Sequence, residues 1–135
     1  MEFPEDLLYT ESHEWVKVVD STLRDEGDHV TIGLTDYAQG QLMDVVYVDF
    51  PELGLVFKQG ESVGTVESVK TVADIFSPIT GKVTETNSNL KDSPQFVNQD
   101  PYGKGWIIKM EVQDKDELGG LLSPKAYRSS LPKDL

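Results

Sequence analysis

The sequence predicts a mainly β single domain, a small sandwich or flattened barrel with short helices and a helical tail packed on its outside. Three observations lead there. Short β-branched runs recur along the chain, divided by Gly, Pro and Asn turn signals. The C-terminal stretch changes from strand-like alternation to helical spacing. At 135 residues and 38% apolar content, with five Phe, five Tyr and two Trp, the chain has material for one core and is too short for two comfortable domains. A single domain is therefore placed over residues 1–135, with its core at about 9–113 and the helical tail at about 114–131.

In chain order, residues 1–12 are acidic and Pro-containing and predict an irregular arm. His13 to Val19 and His29 to Leu34 read as strands, paired as a hairpin across the polar loop Asp20 to Asp28. Thr35 offers an N-cap oxygen to a short helix through Leu42. Asp44 to Phe50 is an apolar strand that Pro51 ends. Leu55 to Phe57 is a further short extended run between the turns at Leu53-Gly54 and Gln59-Gly60. Lys82 to Thr86 alternates as a half-buried strand, and Asn87 to Asp100 reads as a loop by composition. After the turn cluster Pro101 to Gly105, Trp106 to Val112 predicts a strand with Trp106, Ile108 and Met110 on one face. Asp114 caps a helical turn that carries Glu117, Leu118, Leu121 and Leu122. Ser123-Pro124 then starts a second short helix through Tyr127 to Leu131.

The stretch from Glu61 to Val83 stands at the centre of this plan. Val63 to Val69 and Thr71 to Phe76 are two strand-like runs on either side of Lys70, which reads as a β-hairpin with the lysine at or beside its tip. No other base lies between Lys58 and Lys82, while Glu61, Glu67 and Asp74 surround Lys70. Taken alone, the pattern leaves two readings open: a point of attachment, or an ordinary solvated lysine.

Composition narrows the function. There is no cysteine, which excludes disulfides, Cys-type metal sites and a thiol nucleophile, so redox chemistry would have to come from an attached or bound group. With 24 acidic and 12 basic residues the formal charge is −12. Such a surface disfavours nucleic acid and anionic membranes, favours docking onto basic protein surfaces, and leans towards a monomer. No run reaches membrane-spanning length, and the N-terminus shows neither a signal-peptide core nor transit-peptide character. His13 and His29 sit in different strands, so no metal site is expected. There is no nucleophile elbow, P-loop or dinucleotide glycine signature, and no catalytic residue is assigned.

Five segments together resemble a known family: SHEWVKV at 12–18, TIGLTDYAQGQLMDVVYVDFPELG at 31–54, ESVKTVADIFSPITGKV at 67–83, VNQDPYGKGWIIKM at 97–110, and Leu121-Leu122 with Ala126-Tyr127. In this order they resemble the H-protein of the glycine cleavage system, from about Tyr9 to Tyr127. The resemblance implies the barrel-sandwich hybrid fold of lipoyl and biotinyl carriers. It implies lipoate amide-linked to Lys70, with Glu67 and Asp74 as flanking acids read by lipoylating enzymes. It further implies a non-catalytic carrier that takes an aminomethyl group from the glycine decarboxylase (P-protein) and gives it to the aminomethyltransferase (T-protein). Dihydrolipoamide dehydrogenase (L-protein) then reoxidises the carrier.

The same resemblance suggests a cleft for the loaded arm lined by Ser12, Glu14, Asp74 and Ser77, with Glu14 pairing the ammonium. The alternative for Glu14 is a plain solvent-side strand residue. Location follows the source: cytoplasm in a bacterium or archaeon, mitochondrial matrix for a mature eukaryotic form. Two departures stand out: the loop Asp20 to Asp28 is longer than expected, and Thr71-Val72 replaces the small residues usual after the lysine. Other roles compatible with the chain are a relay carrier for lipoyl or octanoyl groups, a lipoyl domain of another multienzyme complex, and a plain interaction domain in which Lys70 is never modified.

Overall fold

Residues 1–19 and 28–132 are described by a computed structural model. Two antiparallel sheets carry them. The strands are β1 (Leu8–Tyr9), β2 (Glu14–Val19), β3 (His29–Leu34), β4 (Val45–Asp49), β5 (Val56–Phe57), β6 (Ser62–Ser68), β7 (Val72–Phe76), β8 (Gly81–Thr86) and β9 (Ile108–Val112). The larger sheet runs β1-β2-β3-β9-β8-β5 and the smaller β4-β6-β7. The helices are α1 (Asp36–Leu42), α2 (Asn89–Asp92), α3 (Phe96–Gln99) and α4 (Pro124–Ser130), with a 3₁₀ helix over Lys115–Gly120. None of the described helices is long and apolar enough to cross a membrane.

Both sheets feed one core. Val16, Ile32, Ile108 and Met110 come from the larger sheet, and Val48, Val66 and Ile75 from the smaller, all within one buried cluster. Each fully buried aliphatic side chain of this kind contributes roughly 1.5–3 kcal/mol. Alternation explains the pattern: in β9, Ile108, Met110 and Val112 are buried while Lys109 and Glu111 are only partly so.

β2 breaks the alternation. Glu14, Trp15 and Val16 are all buried, because the strand is covered on both faces. Val16 joins the main core, while Trp15 joins a second cluster with Leu7, Tyr9, Tyr127 and Leu131. The tail closes that second cluster. Ser123 caps α4 by accepting from the Ala126 amide at 3.1 Å, and Pro124 occupies its first turn. The Tyr127 ring stacks on Tyr9 at 4.8 Å, and its hydroxyl lies 2.7 Å from Thr35 Oγ1 and 2.9 Å from His13 Nδ1. Backbone bonds between Tyr9 and Leu122 fasten the same tail to β1. Gly33 is required by this packing, since a Cβ there would lie 2.6 Å from the Trp15 indole.

Several sequence expectations need correction. The arm at residues 1–12 contains β1, which pairs Leu8 with Val16 and Tyr9 with Trp15. The segment Asn87 to Asp100 holds α2 and α3 instead of being only a loop. Trp106 lies before β9, where its carbonyl accepts from the buried Asn87 side chain at 2.8 Å. The turn capped by Asp114 is a 3₁₀ helix. Val69 and Thr71, expected in the strands of the central hairpin, belong to its turn. The expected loop at residues 20–27 lies outside the described residues.

Candidate functional site

β6 and β7 form the lysine-bearing hairpin, with Glu67 opposite Val72, Val66 opposite Ala73 and Thr65 opposite Asp74. The turn between them is held from below by one side chain. Ser68, 6% exposed, accepts through Oγ from the Lys70 amide at 3.3 Å and the Thr71 amide at 3.1 Å. Its own amide donates to the Thr71 carbonyl at 2.8 Å, and the Val69 amide donates to the Asp44 carbonyl at 3.0 Å. The Lys70 backbone is thus fixed on two sides while its side chain is exposed. Among the described residues its ammonium has no ion-pair partner.

Register places Tyr47, Glu67 and Val72 in one row across the small sheet, and Asp49, Thr65 and Asp74 in the next. Partners in register share a face, so both rows lie on the same outer face. Asp74 is exposed there and accepts from the Ser62 hydroxyl at 2.9 Å. Phe76 follows two positions on, and marks the far end of the face as seen from Lys70.

Beyond Phe76 opens a cavity of about 450 Å³, walled by Thr10, Ser12 and Glu14, by Gln59 and Gly60, by Phe76 to Pro78, and by Gly120 to Leu122. The Glu14 carboxylate forms its charged wall. Only 1% exposed, it accepts through Oε1 from the Thr10 and Ser12 hydroxyls, both at 2.6 Å, and through Oε2 from the Phe76 amide at 3.4 Å. The reversal between β1 and β2 sets this up. His13 takes a left-handed backbone (φ 75°), the Glu14 amide donates to Thr10 Oγ1 at 3.0 Å, and both hydroxyls end up facing the one carboxylate. Burial pushes the Glu14 carboxyl above its ordinary range, and the bonds from Ser12, Thr10 and the Phe76 amide only partly offset it. His13 beside it is held below its usual value by burial, which favours the neutral ring against Tyr127.

Comparison with known proteins decides the lineage. The profile described as "Glycine cleavage H-protein" matches residues 7–134. A glycine cleavage system H protein of Staphylococcus haemolyticus is 47% identical over 131 residues, covering 97% of this chain and 98% of that one. One from Listeria monocytogenes is 48% identical over 131 residues, 97% and 99% of the two chains. The chain belongs to the glycine cleavage H-protein family. A crystal structure of the H protein from Mycobacterium marinum aligns with a TM-score of 0.81 at 36% identity, covering 93% of this chain and 96% of that one. The fold is accordingly the barrel-sandwich hybrid of that family, as its two sheets and short helices also indicate.

Of the residues singled out for an H-protein cleft, the structure brings Ser12, Glu14 and Ser77 to one cavity. Asp74 stands apart from that wall, on the outer face between Lys70 and the cavity. Ser77 lines the cavity, but its hydroxyl donates to the Ile79 carbonyl at 2.6 Å and so shapes the Ser-Pro turn. Glu67 lies exposed beside the lysine turn. The solvent-side alternative for Glu14 does not hold, because the side chain is buried.

Sequence reasoning missed Thr10 and Ser68. Hydroxyls two and four positions before Glu14, and a hydroxyl two positions before Lys70, were the available signals. An amide-linked acyl arm fits these residues. The amine is exposed on a fixed turn, and the cavity offers an anionic, hydrogen-bonded wall to a cationic group.

Proposed function

We propose that this chain is the lipoyl-lysine carrier of a glycine cleavage system, with lipoate amide-linked to Lys70. The observation that carries the reading is the exposed Lys70 on a turn pinned by Ser68 and by the Asp44 carbonyl. The bound lipoyl group supplies a disulfide that accepts an aminomethyl unit and, once reduced, two electrons for a dehydrogenase.

The chain's own residues do the rest. The hairpin ladder holds the Lys70 Cα in place, so the motion of a long acylated side chain starts from a fixed point. Val72, Asp74 and Phe76 mark the track along the outer face from Lys70 to the cavity. There Glu14, oriented by Thr10 and Ser12, holds a terminal ammonium against the cavity wall. A buried carboxylate held above its ordinary range gains most from such a cation, because the pair relieves the desolvation each group would suffer alone.

The partners in this reading are the glycine decarboxylase, the aminomethyltransferase, dihydrolipoamide dehydrogenase and a lipoylating enzyme. The carrier works as a monomer in a bacterial cytoplasm, in keeping with its acidic surface and its bacterial relatives.

The test is intact mass and peptide mapping after co-expression with a lipoate–protein ligase and lipoate. One lipoyl increment, confined to the Lys70 peptide and absent in Lys70→Arg, is expected. No increment under conditions that modify a control carrier would leave Lys70 an ordinary solvated lysine.

A further inference from the structure

Large apolar side chains are exposed at the hairpin tip in a way that internal packing does not explain. Met43, Val46, Tyr47, Val69 and Val72 are 57%, 49%, 54%, 67% and 58% exposed. They are contiguous: Tyr47 and Val72 flank Glu67 in one row, and the Val69 amide bonds to the Asp44 carbonyl next to Met43. A register shift between Val45 and Tyr47 adds to the exposure. Val45 and Val48 are buried, so both intervening residues turn outward, which a regular strand would not allow. Monomeric proteins seldom leave such a strip to water unless something covers it.

Its border is acidic. Asp44, Asp49, Glu67 and Asp74 lie in or beside the same strands, and among the described residues none of them is in an ion pair. Lys70 is the one base between Lys58 and Lys82 in the sequence, and amide formation removes its charge.

We propose that this strip is the seat of the enzyme that acylates Lys70, which would present an apolar socket bordered by Lys and Arg. The inference rests on the carrier reading and adds to it a surface and a class of partner. Enzymes that use a finished arm can meet it at the arm's full length. The acylating enzyme has only an unmodified lysine to reach. The free amine of Lys70 displaces the leaving group of an activated acyl donor of the acyl-adenylate class and gives up one proton. Forming that bond requires the enzyme to sit directly on the turn, and the apolar strip continues from the turn onto β4. Contact area there is gained without ordering any flexible segment, since Ser68 and the Asp44 carbonyl already fix the turn.

The test is steady-state acylation by a lipoate–protein ligase, with ATP and lipoate saturating and this protein varied. For Val46→Ser/Tyr47→Ser, KM for the carrier should rise about tenfold, equivalent to about 1.4 kcal/mol, with kcat changed less than about twofold. A control pair on β2, Val18→Ser/Val19→Ser, should leave KM unchanged, and thermal melts should show both variants folded. Added salt should raise the wild-type KM. An unmoved KM in the β4 variant, an equal rise in the control pair, or a loss confined to kcat would each overturn the docking proposal. A wild-type chain left unmodified while a control carrier is acylated would defeat the carrier reading itself, and the docking surface with it.

Discussion

Glu14→Gln removes one buried charge and keeps the shape around it. In the native state the carboxylate is 1% exposed and accepts two hydroxyl bonds at 2.6 Å and one amide bond at 3.4 Å. Burying an ion costs several kcal/mol after relaxation. Each short bond to the anion returns roughly 1.5–3 kcal/mol, against roughly 0.5–1.5 for a neutral pair. The carboxyl is held above its ordinary range, so the desolvation cost exceeds what the bonds return.

Gln avoids the ionic cost and retains neutral partners in Thr10 and Ser12. The expected gain is about 1 kcal/mol, or about 3 °C in Tm for a chain of this size. The pH dependence has a definite sign. The folded state binds this proton more tightly than the unfolded state does, so the group's contribution is fully present at low pH and is lost as pH rises through its folded value. The advantage of the Gln variant should therefore be largest near neutral pH and shrink on acidification.

Calorimetry of both unacylated proteins between about pH 4 and pH 8 measures the difference directly and cancels the other carboxylates. In the loaded carrier the sign should invert: Gln cannot pair an ammonium as an anion, and the aminomethyl group should be lost faster. A Gln variant several degrees less stable at neutral pH would refute the reasoning, because the carboxylate would then be a net stabilising ion in the resting protein.

Ser68→Ala removes the shared acceptor of the Lys70 and Thr71 amides. It should cost roughly 1 kcal/mol and speed hydrogen exchange at those two amides about five- to tenfold; unchanged exchange would mean the turn is held without it. Gly33→Ala places a methyl where the Trp15 indole lies 2.6 Å away. The overpacking should cost about 1–3 kcal/mol, seen as a Tm lower by several degrees and a shifted Trp fluorescence, whereas an unchanged Tm would show that the ring yields freely.

The hairpin was legible because its signals are local. Two β-branched runs, a turn and a lone lysine lie within one stretch, and the strands follow with Val69 and Thr71 moved into the turn. The helix caps at Thr35 and Ser123 were legible for the same reason, each being one side chain acting on its own first turn. β1 was not, because a two-residue strand owes its existence to partners elsewhere, Trp15 and Val16 on one side and Leu122 on the other. α2 and α3 escaped because four-residue helices have no period to detect, and neither has a side-chain cap bond.

The cavity shows the limit more sharply. Its walls come from four stretches between Tyr9 and Leu122 that only the closed sheets and the docked tail bring together. Strand alternation applied to HEWVKV would set Trp15 against solvent if Glu14 and Val16 faced inward, or Glu14 against solvent if Trp15 did. Neither happens, since Val16 packs into the main core while the tail supplies a second apolar cluster on the far side of β2 that takes Trp15. The tail's position is fixed by Tyr127, whose ring stacks on Tyr9 and whose hydroxyl meets Thr35 and His13. Glu14 shares its cavity with residues more than a hundred positions away, Leu121 and Leu122. The carboxylate that most plainly suits a cationic ligand thus faces walls drawn from distant parts of the chain, and its chemistry could not be read from its own strand.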